Sequence, residues 1–219
     1  LPEANANMHR VYAYLIKQRF IDPNIISHFA KQHTLYEDKE HHNAVFVGVD
    51  ENGVPRQAHK RSTNSFGNAF RITCEGSDTR YSFSHFGKSE KLFVFEAPID
   101  LLSHGALMQL SMRKQCSAIG QGDKYRPDCW LGINRVSLSG CSDIALKQRL
   151  SDDPRITQIV FCLDNDETGQ QATEKLMNKY SQQYTVSVSI PPYGKDWNDT
   201  LKAVVSAHSK QTDKTKTEE

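Results

Sequence analysis

Long apolar runs, paired cysteines and an excess of charge of either sign are all missing from this sequence. No stretch approaches the roughly 20 apolar residues that a membrane helix needs, so no membrane partner is expected. The five cysteines, Cys74, Cys116, Cys129, Cys141 and Cys162, are far apart and never in C-x-x-C spacing. A scattered, odd-numbered set supports neither a disulfide framework nor a zinc knuckle, and structural thiols in a reducing cytoplasm are expected. The chain opens on Leu1 instead of Met and shows no basic, apolar, small-residue leader, so it reads as a fragment of a longer cytoplasmic protein. The net charge of +1 leaves any affinity for polyanions to local patches. Internal repeats are also lacking.

The 219 residues, 37% of them hydrophobic and 24% charged, are enough for a catalytic domain preceded by a smaller one. Residues 8–35 carry two helical patterns, with Val11, Leu15 and Ile16 in the first and Ile25, Ile26 and Phe29 in the second. Asp22-Pro23 provides an N-cap and first-turn proline for the second. From Ala44 the period becomes that of strands: Val45, Val47 and Val49, a turn at Asp50-Glu51-Asn52-Gly53, then Val54 to Lys60. Strand-like pieces at Phe70–Thr73 and Tyr81–Phe86 complete a small antiparallel sheet. This defines an α+β accessory domain over residues 1–88.

Strands then alternate with helices, the signature of a parallel sheet flanked by helices. Leu92–Phe95 reads as a strand and Pro98–Leu110 as a helix. Arg135–Leu138 is the next strand, followed by a helix to about Leu150. Ile156–Leu163 is the most apolar strand, with its helix over Thr168–Tyr180, and Val186–Ile190 is the last strand before Pro191-Pro192. A short helix begins near Trp197. The fold class is α/β: a Rossmann-like central parallel sheet over residues 89–207, with a disordered Lys-, Thr- and Glu-rich tail over 208–219.

Acidic residues stand at the ends of these strands: Glu96 after LFVF, Asp164 and Asp166 after IVFCL, and Asp196 beyond Ile190. In an open parallel sheet ligands bind outside the carboxyl ends of the strands, so these side chains converge on one crevice. Gathered carboxylates repel one another unless a cation neutralises them, and an all-oxygen set suits Mg²⁺ or Mn²⁺. The chemistry suggested is phosphoryl transfer. Structural readings stand beside this one. A D-x-D can be a solvated turn, Glu96 and Asp100 lie near a helix N-terminus that favours carboxylates, and Asp196 can cap the helix at Trp197. Asp199 reads as structural. DNDETG also opens like an EF-hand loop, but Lys175 stands where that loop needs its bidentate Glu. A haloacid-dehalogenase-type phosphatase would use Asp164 as nucleophile and Asp166 as acid, yet too little chain follows and FE-x-x-x-D would go unexplained.

FEAPID at 95–100, LDNDETG at 163–169 and GKDWND at 194–199 resemble the successive signatures of the Toprim domains of bacterial primases. The resemblance covers residues 90–205 and implies Glu96, Asp164 and Asp166 as catalytic and metal-binding carboxylates. It also implies Asp196 as a further metal contributor, with Asp100 and Gly169 in support. SLSG at 137–140 matches a small-residue turn between strand and helix. Upstream, VYAYLIKQRFID, LYED, VFVGVDENGVPR and EGSDTRYSF resemble the domain that precedes Toprim in primase-like proteins of plasmids and conjugative elements. The function implied is a primase-like nucleotidyltransferase using Mg²⁺ or Mn²⁺, with single-stranded DNA and nucleoside triphosphates as partners and a helicase or relaxase of the same element as a further one. A Toprim nuclease and a DNA-binding accessory module without turnover are the alternatives.

Between Glu51 and Glu75 there is no acidic residue, while Arg56, Lys60, Arg61 and Arg71 occur with Phe66 and Phe70 among them. This suits a phosphate-binding surface with aromatic faces for base stacking, or equally the wet face of a sheet. Lys195 is a candidate phosphate contact, or a partner for a neighbouring carboxylate. A second basic stretch, Arg113, Lys114, Lys124, Arg126 and Arg135, is diluted by Asp123 and Asp128. His41 and His42 read as surface residues.

Overall fold

The computed structural model describes residues 1–64, 70–120 and 125–217, with side chains as far as 207. It opens with α1 (His9–Ala13), which widens into a π-helical turn over Tyr14–Gln18, and continues with α2 (Pro23–Lys31). Asp22 caps α2 as its sequence predicts, accepting from the Asn24 N–H at 2.8 Å. The cap of α1 comes from further away. Glu37 accepts from the Arg10 and Val11 N–H groups at 2.9 and 3.0 Å, satisfying donors that a helix start leaves orphaned.

Four antiparallel strands follow in spatial order β1 (Leu35–Glu37), β2 (Ala44–Val49), β3 (Pro55–Arg61) and β4 (Arg71–Thr73). The β2–β3 hairpin turns where expected, with Gly53 at φ 77° and the Asp50 carboxylate accepting from the Asn52 and Val54 N–H groups.

The second sheet has the order β5 (Ser84–His85), β7 (Asn134–Ser137), β6 (Lys91–Phe95), β8 (Gln158–Cys162) and β9 (Thr185–Val188). Four strands run parallel, and β5 joins β7 antiparallel. Helices α3 (Pro98–Ala118), α4 (Ile144–Asp152), α5 (Glu167–Tyr180) and α6 (Trp197–Thr217) cover it. Successive strand residues face opposite sides, which explains the unbroken apolar runs of the two central strands. Leu92, Val94, Ile159 and Phe161 pack with Leu146, Leu150, Leu176 and Tyr180 from α4 and α5. Phe95, Val160 and Cys162 pack with Leu101, Leu102, Trp197 and Leu201 from α3 and α6. This second cluster also contains Leu15, Ile25, Phe29, Phe46 and Phe83, so the core is shared across residue 88.

Three elements differ from the sequence reading. The Tyr81–Phe86 segment contributes only β5 and pairs with the second sheet instead of the first, because Phe83 is drawn into the shared core and its carbonyl accepts from Ser137 N–H at 3.0 Å. Helix α3 runs on to Ala118, there being no glycine or proline between Gly105 and Gly120 to stop it. Helix α6 runs to Thr217 where a short helix and a disordered tail were expected, since no breaker follows Trp197.

Candidate functional site

Glu96 is the first residue beyond β6 and is 8% exposed. Its Oε2 is buried without a hydrogen-bond partner, and Arg71 of β4 approaches its Oε1 at 4.0 Å. A buried carboxylate oxygen left bare costs free energy unless a cation or donor meets it. Asp164 stands two residues beyond β8, also 8% exposed. Burial, then the charges of Glu96 and Asp196, push its carboxyl up to about 6, with Lys195 opposing them. The Lys195 ammonium lies 3.4 Å from Asp164 Oδ2 and 2.8 Å from Asp166 Oδ2.

Asp166 is the N-cap of α5, accepting from Gly169 N–H at 2.8 Å. Contact with Lys195 and this N–H hold its carboxyl below the usual carboxylate range. Gly169 is required by space: a Cβ there would collide with the Asp164 carbonyl oxygen. The glycine of LDNDETG therefore lets the first turn of α5 close on the loop that carries the D-x-D pair.

Asp196 caps α6 through the Asp199 N–H at 2.7 Å. Asp100, on the first turn of α3, is buried and accepts from the Asn198 N–H at 3.2 Å. Its carboxyl is raised well above the ordinary aspartate range by burial and by the charges of Asp196, Asp164 and Glu96. The Oδ1 atoms of Asp166 and Asp196 both accept backbone N–H groups, so the structural reading of these two residues as helix caps holds, and their Oδ2 atoms are not used by these caps. Among the described residues no three His, Cys, Asp or Glu side chains stand together as a ready ligand set. A divalent ion held by one or two carboxylates, with water and phosphate oxygens for the rest, needs no such set. The bare Glu96 Oε2 and the all-oxygen donors fit that mode.

Several contributors escape sequence reasoning. Asn198 clasps the site to the N-terminal helices: its Nδ2 donates to the Arg19 carbonyl at 2.8 Å and to Ser103 Oγ at 3.0 Å, while Arg19 Nη1 donates to its Oδ1 at 3.1 Å. Cys141, in the turn after β7, lies close enough to Glu96 that burial and that charge push its thiol up to about 11. In the same turn Gly140 N–H donates to the Glu96 carbonyl at 3.0 Å, and Ser139 takes a positive φ of 54°. The small-residue pattern of SLSG was the only signal of this contact.

The basic candidates separate. Arg61 and Arg71 are cross-strand partners on β3 and β4, and Arg71 is the one that reaches the acidic site. Arg56 lies near the other end of β3, ion-paired with Asp50 at 2.7 Å, and Lys60 faces Asp38 at 3.9 Å. Phe70 is exposed beside Arg71, whereas Phe66 lies outside the described residues. In the second stretch Arg135 is fully buried, donating to the Trp130 and Ile133 carbonyls, so it belongs to the core and not to a basic surface. Lys124 and Asp123 lie outside the described residues.

Residues 93–201 match the family model described as Toprim-like, and residues 13–89 that of a family described as a protein of unknown function, DUF3991. The chain carries a Toprim-like domain behind a DUF3991 domain. An uncharacterised protein of Bacillus anthracis is 25% identical to it over an alignment of 211 positions that covers 89% of this chain and 57% of that relative. This Toprim-like chain thus spans little more than half of that relative's length. Among solved structures, the primase fragment of the bacteriophage T7 primase-helicase is similar with a TM-score of 0.56 at 19% identity, over 90% of this chain and 72% of that one. The Aquifex aeolicus primase, comprising its zinc-binding and RNA polymerase domains, gives 0.55 at 13%, over 92% and 55%. The catalytic core of the Escherichia coli primase gives 0.54 at 10%, over 91% and 70%. At these identities the likeness establishes the fold. No helix among the described residues is long and apolar enough to cross a membrane.

Proposed function

We propose that this Toprim-like chain is a primase-like nucleotidyltransferase that joins nucleotides on a single-stranded DNA template, in the replication or transfer of a plasmid or other mobile element. The observation that carries the reading is the bare, buried Oε2 of Glu96 at the carboxyl end of a strand adjacent and parallel to the one that leads into Asp164 and Asp166, with the Glu96 charge bearing on Asp164. Glu96 and Asp164, with Asp166 and Asp196 beside them, would hold Mg²⁺ or Mn²⁺, which supplies charge neutralisation at the reacting phosphates. Asp100, its protonated form favoured, backs the cluster without adding to its charge and fixes the Asn198 backbone. Lys195 and Arg71 offer cations at the rim, with Arg61 opposite Arg71 across β3 and β4 as a further phosphate contact, while Lys60 and Arg56 would have to leave Asp38 and Asp50 to reach a template. A helicase or relaxase of the same element is the natural protein partner.

The test is incubation of the chain with single-stranded DNA, labelled ribo- and deoxynucleoside triphosphates, and Mg²⁺ or Mn²⁺. Labelled oligomers are expected, with Glu96→Gln lowering their yield on the order of 100-fold or more, the scale for losing a group that stabilises transition-state charge. Shortened DNA in place of extended product would favour a Toprim nuclease. DNA binding without either product would favour an accessory module.

A further inference from the structure

Lys195 stands astride the D-x-D pair, yet only its backbone is fixed. Its N–H donates to Asp199 Oδ2 at 3.2 Å and its carbonyl accepts from Asn165 N–H at 2.7 Å. Gly194 before it has φ 73°, and a Cβ at that position would run into the Asp199 side chain. The main chain at 194–195 is thus pinned to both the Asp164–Asp166 loop and the start of α6. The side chain is 53% exposed and touches Asp164 and Asp166 through the ammonium, at 3.4 and 2.8 Å. A lysine so mounted is a point charge on a flexible four-carbon arm over a rigid pivot.

Its position coincides with the charge demand of the site. The charges of Glu96 and Asp196 both bear on Asp164, Asp166 shares Lys195 with it, and among the described residues the cations that reach these acids are Lys195 on the D-x-D pair and Arg71, at the longer 4.0 Å, on Glu96. We infer that Lys195 is a tethered counterion that holds the D-x-D pair until a divalent ion displaces it, and then turns to a phosphate of the incoming nucleoside triphosphate. The inference rests on reading the acidic cluster as a metal site.

Two properties follow from one side chain occupying both roles. A half-exposed ammonium is a weak competitor, because such ion pairs are partly screened by water, so the divalent ion displaces it at modest cost. The displaced ammonium then needs a new anionic partner, and a triphosphate supplies charge-assisted oxygens within reach of the arm. Metal and nucleotide binding are therefore coupled through Lys195: each is favoured by the presence of the other. The D-x-D pair is partly neutralised before the substrates arrive, which eases its repulsion in the folded state without removing that of Glu96 and Asp196 on Asp164.

The experiment measures Mn²⁺ binding to the full chain from the loss of the free-ion electron paramagnetic resonance signal, alone and with a non-hydrolysable nucleoside triphosphate. Lys195→Met is expected to bind Mn²⁺ alone roughly threefold or more tighter than wild type, the factor that a half-exposed ion pair supports. The gain in Mn²⁺ affinity on adding nucleotide should shrink by a similar factor in that variant. Lys195→Arg, which keeps the charge, should bind Mn²⁺ alone as weakly as wild type. Unchanged or weaker Mn²⁺ binding by Lys195→Met, where Glu96→Gln still weakens it, overturns the counterion role and leaves the metal site standing. Absence of Mn²⁺ binding in every form, or indifference to Glu96→Gln, overturns the metal-site reading and the counterion role with it.

Discussion

Asp164 is an aspartate kept close to its protonated form by its surroundings, with a carboxyl pushed up to about 6 from the ordinary 3.8. The folded chain binds that proton more tightly than the unfolded chain. Stability contributed by the neutral form is therefore lost as pH rises from about 4 through about 6 and is not regained above. Asp164→Asn carries no charge to repel its neighbours. In metal-free buffer its Tm should gain on that of wild type across this interval, and a Tm difference that stays flat with pH would contradict the assignment. Gly169 makes a second prediction at this scale. Alanine there must push the Asp164 carbonyl aside, so Gly169→Ala should cost about 1–3 kcal/mol in denaturant unfolding, as overpacked sites do, and should weaken Mn²⁺ binding at the displaced loop.

Among the elements, the D-x-D strand and its helix were legible in the sequence. The apolar run ending at Leu163, the D-x-D, and Gly169 at the start of an amphipathic stretch are local signals, each set by neighbours within a few residues. The strand-end positions of Glu96 and Asp164 were legible for the same reason, since alternation of strand and helix fixes which end of a parallel sheet they occupy. The clasp at the start of α6 was not. Asn198 meets Arg19 across 179 positions of sequence, and nothing local to either residue encodes the meeting. Nor did the pattern reveal that Arg135 would be buried on β7, because a charged letter in a strand reads as a wet-face residue until its carbonyl partners at Trp130 and Ile133 are known. Asn198→Ala should leave the Arg19 carbonyl and Ser103 without their donor and cost about 1–3 kcal/mol, the usual penalty for stranding buried polar groups. If chemical denaturation shows no loss, the clasp is decoration. Phe161→Ala, in the middle of β8, should cost about 3–5 kcal/mol through transfer and cavity terms.

Over the whole molecule, the apolar cluster around Phe29, Phe46, Phe83, Phe95 and Trp197 takes residues from both sides of residue 88. The sequence divides there by grammar, helix pair and antiparallel strands before, alternating strands and helices after. Packing does not follow that division. A fragment of residues 89–207 would bare the side of α3 and β6 that the N-terminal helices cover. It is expected to bind a hydrophobic dye and to lack the cooperative thermal transition of the full chain; a sharp transition in the fragment would show that the two parts fold independently.

The acidic centre is assembled from positions far apart in the order of synthesis. Glu96 and the Asp164–Asp166 loop leave the ribosome well before Lys195, Asp196 and Asn198, and Trp197 must arrive before its indole can donate to the Cys162 carbonyl at 3.0 Å. For the interval in between, Glu96, Asp164 and Asp166 have neither their lysine nor the helix that closes the core behind them. Completion of the fold and completion of the site are thus expected as one late event, and a polypeptide interrupted before α6 carries the first two signatures without the means to hold them in place.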